Sequence, residues 1–172
     1  MSNTEKILKQ NTSYSLLLEM AKSVRSAVAQ TIHVQSEYKV WVDPCEAILK
    51  SNKKIPVADL IVAVPFEAEK CAKGILVFFM NKRVLKRILD GMFDPIFFEL
   101  NEEIIDGLQT VASITYGVIK RDLNDGKGFQ LKTSRPKLIE KDHIFLVHSF
   151  KEAMVIPFEL DVGFFTVEVR IF

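Results

Sequence analysis

Between residues 13 and 32 the apolar side chains Leu16, Leu17, Met20, Val24, Ala27 and Val28 return every three or four positions. That spacing predicts one helix with a single buried stripe. Residues 37–43 then alternate, with Tyr38, Val40 and Val42 on one side, and predict a strand closed by Pro44. Residues 47–54 are polar and basic and read as a loop. Two β-rich runs follow, VADLIVAVPF at 57–66 and GILVFFM at 74–80, separated by the polar stretch 67–73. Together they predict a hairpin. Asn81 is placed to cap the next helix, which turns Val84, Leu85, Ile88, Leu89 and Met92 inward and stops near Gly91 and the Asp94-Pro95 pair.

The pattern then begins again. Residues 102–121 form a second long amphipathic stretch, 130–133 a short strand before Pro136, and 144–150, 153–160 and 163–172 three further strands. The last two are joined by Asp161-Val162-Gly163, a composition suited to a tight turn. Helix, strand, hairpin, then helix, strand, hairpin suggests an internal duplication, with pseudo-repeats at about 13–93 and 101–172 inside one domain spanning 1–172. Strands gathered into hairpins favour an α+β fold: a mostly antiparallel sheet with long helices packed on it. The C-terminal strand, with Phe164, Phe165, Val167, Val169 and Ile171, reads equally well as a buried central strand or as an edge that pairs with a second copy.

At 100° per residue, the 102–121 helix places Ile104, Ile105, Leu108, Val111, Ala112, Thr115 and Ile119 on one side. The opposite stripe is Glu103, Asp106, Thr110, Ser113 and Gly117. Its successive members lie three or four residues apart, so they are neighbours that can meet one ligand. The plainest meaning of such a stripe is the wet face of an amphipathic helix.

Composition removes several alternatives. The 172 residues carry a net charge of +1, which gives no reason to expect a nucleic-acid partner. The basic run Lys82, Arg83, Lys86 and Arg87 fits the solvated face of its helix. Cys45 and Cys71 stand far apart, and with His33, His143 and His148 they offer no metal-ligand spacing. No metal site is therefore expected. Residues 1–11 are polar and charged, without the apolar run of a signal peptide, and no stretch has the ~18 apolar residues of a membrane span. The expectation is a cytoplasmic protein with reduced thiols.

The stretch NEEIIDGLQTVASITYGVIKRDLNDGKGFQLKTSRPKLI, residues 101–139, resembles the signature region of the CheC/CheX/FliY chemotaxis phosphatase family. That family shows an acidic start, an E-x-x-N motif, a Gly one turn later, and a strand ending in a small-x-Pro-x-hydrophobic pattern. Ser134-Arg135-Pro136-Lys137-Leu138-Ile139 fits the last of these. GILVFFMNKRVLKRILDGMF resembles the family's strand and helix, and IPFELDVGFFTVEVRIF its terminal hairpin. The likeness covers residues 57–172 and is greater to CheX than to the two-site members.

The resemblance implies that the helix inserts into the active site of a phosphorylated response regulator's receiver domain. There the motif Asn orients the water that attacks the aspartyl phosphate, and the Glu engages a regulator lysine. It also implies a homodimer, no cofactor of the chain's own, and a Mg²⁺ ion carried by the receiver. Laid on the pattern without a gap, Thr110 falls at the Glu, Ser113 at the Asn, and Gly117 stays in register. Thr110 carries no charge, and Ser113 reaches about one bond less far than Asn. Losing one positioning group commonly costs ~10²-fold. Glu103 and Asp106 supply carboxylates on the same stripe but about 6–10 Å from the motif position along the axis. On the first long helix, Glu19 and Lys22 share the motif's spacing, yet an i, i+3 surface ion pair explains them.

Three functions follow: a receiver-binding protein with weak or no phosphatase activity, a non-catalytic assembly module related to flagellar-switch proteins, or a phosphatase that uses Ser113 with a shifted carboxylate. Loss of both motif residues favours the first two.

Overall fold

The structure is a computed structural model, and it describes residues 3–42, 47–50, 57–68, 72–93, 102–140 and 152–172. In chain order these form α1 (Asn3–Ser36), β1 (Trp41–Val42), β2 (Ala47–Lys50), β3 (Leu60–Ala68), β4 (Ala72–Met80), α2 (Lys82–Met92), α3 (Glu102–Lys127), β5 (Lys137–Leu138), β6 (Glu152–Leu160) and β7 (Gly163–Ile171). The strands make one sheet in the order β1-β6-β7-β4-β3-β5, with β2 also paired to β6. Among the described residues every strand pair is antiparallel. The expected α+β class holds.

Alternation along the strands splits the sheet into two faces. Val62, Val64, Leu76, Phe78, Met80, Ile156, Phe158, Phe165, Val167 and Val169 point to the helix side. There they join Leu16, Met20, Val24 and Val28 of α1, Leu85 and Ile88 of α2, and Leu108, Val111 and Ile119 of α3 in one core. Phe158 and Phe165, cross-strand partners, stack with centroids 4.9 Å apart. On the other face Ile61, Val77 and Phe79 form a smaller cluster. Glu168 and Arg170 lie on that second face too, nearly inaccessible and joined by an Arg170 Nε to Glu168 Oε2 bond of 2.9 Å. A buried charge is tolerable only when paired in this way.

The C-terminal strand is central. β7 lies between β6 and β4, so the alternative in which it forms a pairing edge is overturned. Phe165, Val167 and Val169 are buried, and only Phe164 is widely exposed. Each half of the chain supplies one long helix and one long hairpin, and the hairpins β3–β4 and β6–β7 meet at the β4–β7 pair.

Several boundaries differ from the sequence reading. The first helix runs from Asn3 to Ser36, and the expected strand at 37–43 shrinks to the two residues of β1. The reason is local. Ser36 Oγ donates to the Ile32 carbonyl, and the Glu37 N–H returns to the His33 carbonyl with Glu37 at φ 61°. This left-handed stop consumes the start of the alternating run. Residues 47–50, expected as loop, form β2 because β6 offers an unfilled edge to Ala47, Ile48 and Leu49. α3 continues to Lys127, its apolar stripe extended by buried Leu123. The expected strand at 130–133 is reduced to a single bridge between Leu131 and Ala68. The expected strand at 144–150, and Cys45, Cys71, His143 and His148, lie outside the described residues.

The basic face of α2 behaves as expected at Lys82, Arg83 and Lys86, which are exposed. Arg87 instead is held in place. Its Nη2 donates to Asp161 Oδ2 at 2.8 Å in the β6–β7 turn, and its guanidinium sits 4.0 Å from the Tyr38 ring centroid. The hydrogen bond to Asp161 raises the Arg87 pKa above its ordinary value.

Gly91 marks the closest approach of α2 to the end of α1. A Cβ there would stand 2.6 Å from Ser36 Cβ and 2.7 Å from the Ser36 carbonyl oxygen. A backbone oxygen cannot rotate aside, so Gly91→Ala is expected to destabilise the protein by about 1–3 kcal/mol in chemical denaturation. An unchanged midpoint would show that the two helix ends are not packed this closely.

Candidate functional site

α3 is fixed by what it buries. Ile104, Leu108, Val111, Ala112, Thr115, Ile119 and Leu123 are inaccessible, while Ile105, expected among them, is only half-buried at the margin of the stripe. With that side committed to α1 and the sheet, Glu103, Asp106, Thr110, Ser113 and Gly117 all face outward and all are exposed. Among the described residues, none of the Glu103, Asp106, Thr110 and Ser113 side chains has a hydrogen-bond or ion-pair partner. Their polar atoms are left to solvent or to a visitor.

The C-terminal half of α3 holds a strip of backbone beside this ridge. Asn124 brackets Leu131: its Nδ2 donates to the Leu131 carbonyl at 3.2 Å and its Oδ1 accepts from the Leu131 N–H at 2.6 Å. An amide side chain thus satisfies the outer edge of Leu131, while its inner side bridges to Ala68 of β3 and the Lys132 N–H donates to the Glu67 carbonyl. Tyr116 OH donates to the Lys132 carbonyl at 2.6 Å, and Lys120 Nζ donates to Thr133 Oγ1 at 2.6 Å. β5 then docks the following residues on β3, and the Ile139 N–H reaches the Ile61 carbonyl.

Between α3 and this strip runs an open groove of about 500 Å³, bordered by Ser113, Gly117, Lys120, Arg121, Thr133 and Ser134. The structure therefore brings Ser113 and Gly117 into one concavity. Thr110, Asp106 and Glu103 continue outside it along the ridge. Sequence reasoning missed Lys120, Tyr116, Asn124, Thr133 and Ser134. Continuing the exposed stripe seven residues past Ser113 reaches Lys120, so that residue was within reach of periodicity. Thr133 and Ser134 arrive through tertiary contacts that no local pattern announces.

The chemistry available is limited. Thr110 and Ser113 provide neutral hydroxyls, and the nearest acidic groups of the stripe, Asp106 and Glu103, lie one to two turns away. Among the described residues no group of three or more His, Cys, Asp and Glu side chains gathers as a metal site. No helix among them is long and apolar enough to cross a membrane. On α1, Lys22 Nζ lies 3.0 Å from Glu19 Oε1, and Lys127 at the end of α3 lies 3.4 Å from Glu19 Oε2. The Lys22 hydrogen bond, with Lys127 behind it, holds the Glu19 carboxyl below its ordinary pKa. The Glu19–Lys22 spacing is thus an ion pair that also ties α1 to α3.

An antiparallel sheet carrying long helices on one face is the fold of the CheX and FliY structures that match this chain. CheX from Vibrio vulnificus matches with a TM-score of 0.74 at 14% identity, over 90% of this chain and 99% of that one. CheX in a CheX–CheY–BeF3–Mg complex from Borrelia burgdorferi matches with 0.64 at 16% identity, over 87% and 96%. FliY from Thermotoga maritima matches with 0.58 at 12% identity, over 93% and 90%. No protein-family model matches the sequence, and no curated protein matches it by sequence. What is shared at such identities is the fold.

Two predictions follow from the ridge and its supports. A Cβ at Gly117 would meet nothing within 4 Å, so Gly117→Ala should stabilise the helix by about 0.5–1 kcal/mol, read as a raised denaturation midpoint. A loss of stability would place an unseen contact at this position. Burial pushes the Tyr116 hydroxyl up to about 12 from 10.0. The folded protein then holds this proton where the unfolded chain releases it, so stability is full below pH 10 and declines as pH rises towards 12. Tyrosinate absorbance should show a late step near that pH that disappears in Tyr116→Phe; its persistence would assign the step elsewhere.

Proposed function

We propose that this chain is a CheX-like protein that docks the receiver domain of a phosphorylated response regulator on the exposed ridge of α3, with weak or no aspartyl-phosphate hydrolysis. One observation carries the reading. Thr110 and Ser113 stand exposed and unpartnered at the resembled E-x-x-N positions, in a fold shared with a CheX protein solved together with CheY. Hydroxyls at both positions retain hydrogen-bonding capacity for a docked surface. They lack the negative charge that engages a lysine and the reach that aims a water at phosphorus. The protein would then act as an adapter or a sink for the activated regulator, and any Mg²⁺ would arrive with that partner. The remaining expectations belong to the same proposal: a homodimer, a cytoplasmic location, and a chain built from two copies of one helix-and-hairpin unit.

The hydroxyls at both Thr110 and Ser113 equally favour a second reading, a non-catalytic assembly module related to flagellar-switch proteins, in which the same fold serves protein contact alone.

Mixing the protein with a BeF3-activated receiver and measuring complex formation separates the two. Binding supports docking, and its absence across receivers leaves the assembly module. Phosphate release from a phosphorylated receiver then reports hydrolysis. The double substitution Thr110→Glu with Ser113→Asn restores both missing groups, and it should raise release ~10²-fold over the parent. A double variant that still binds the receiver yet shows no gain would mean that the ridge is not presented to the phosphoryl group.

A further inference from the structure

The groove beside Ser113 is lined by two cations, Lys120 and Arg121, and one carboxylate, Asp125. Lys120 is half-buried in its wall, and its ammonium meets only the Thr133 hydroxyl among the described residues. An ammonium has three N–H donors, so two remain unused. Thr133 Oγ1 accepts that bond, which leaves its own proton to donate outward. The hydroxyls of Ser113 and Ser134 have no partner among the described residues. The neighbouring groups that could compete are already engaged: Tyr116 with the Lys132 carbonyl, Asn124 with both polar groups of Leu131. Arg121 lies 3.7 Å from Asp122, so its charge is partly met, whereas Lys120 has no carboxylate. Gly117 adds no side chain to the floor and leaves room for an incoming group.

We infer that this groove is an oxyanion subsite centred on Lys120, shaped for a phosphoryl group. Tetrahedral phosphate oxygens accept several hydrogen bonds at once, and a charged donor strengthens each one. Lys120 lies seven residues beyond Ser113 on the same side of α3, about 10 Å along the axis. The exposed ridge therefore runs from carboxylates at Glu103 and Asp106, through the neutral Thr110 and Ser113, to a cation at Lys120. A partner laid along it would place basic groups at the first end and its anionic group over Gly117, between Ser113 and Lys120. The inference rests on the docking reading only for the source of the anion, which is either the activated receiver or a free phosphate. Asp125 is the opposing carboxylate of the groove, one turn beyond Arg121. It is expected to weaken anion binding.

Titration with inorganic phosphate at constant ionic strength, followed by the amide NMR signals of Ser113, Gly117 and Lys120, tests the subsite. Saturable shifts are expected, about tenfold weaker in Lys120→Met and several-fold tighter in Asp125→Asn. Thermal melts confirm that both variants fold. A parallel arm measures binding of the receiver with and without BeF3. If phosphate alone does not saturate the groove, but Lys120→Met removes the preference for the BeF3-loaded receiver, the subsite stands with the receiver as its source. If phosphate shifts are linear, or unchanged in Lys120→Met, and the receiver also binds both proteins equally, the subsite is overturned while docking survives. If no receiver binds at all, docking fails and the phosphate titration alone decides the subsite.

Discussion

The apolar side of α3 has only one place to go. Leu108, Val111 and Ile119 must meet α1 and the helix-facing side of the sheet, and their burial sets the rotation of the whole helix. Every exposed group on the opposite side inherits its position from that packing. The ridge is therefore rigid without any bond between its own members. Asn124 and Tyr116 extend the same principle sideways, since each uses a side chain to hold the outer edge of backbone that bridges to β3 on its other edge. A surface built this way is presented before a partner arrives, and little ordering entropy is left to be lost on contact.

Thr110 and Ser113 put small, polar, hydrogen-bonding side chains on a ridge where a bulky apolar residue would alter the surface entirely. Both side chains end in hydroxyls, which donate and accept hydrogen bonds but carry no charge. The ion pair of Glu19 with Lys22 and Lys127 occupies the matching spacing on α1 and spends it on holding helices together. One long helix thus offers its polar face outward, and the other commits part of its own to the fold.

Much of this was legible from residue spacing. The two long helices, both long hairpins, the Asn81 cap and the Asp161 turn follow from periodicity and turn chemistry, and Asn81 Oδ1 does accept from the Val84 N–H. The exposed stripe from Glu103 to Gly117 was readable for the same reason. The misreadings have two causes: a partner distant in sequence made β2, and local side-chain and turn hydrogen bonds reshaped the other two segments. β2 exists because β6 has an open edge, residues 130–133 are not a strand because Asn124 captures Leu131, and β1 is short because α1 ends in a left-handed turn at Glu37. The groove was invisible for a related reason, because its second wall is a segment that only tertiary contacts bring to α3.

The β4–β7 pairing also bears on how the molecule assembles. It joins residues as far apart as Gly74 and Ile171, whereas each flanking hairpin closes locally. Local hairpins form quickly, and long-range closure sets the slower timescale. Until the halves meet, β4 and β7 each present an unpaired, strongly apolar edge, the kind of surface that recruits strands from other chains. The seam that unites the finished sheet is thus the point of greatest exposure to misassembly while the chain is still folding.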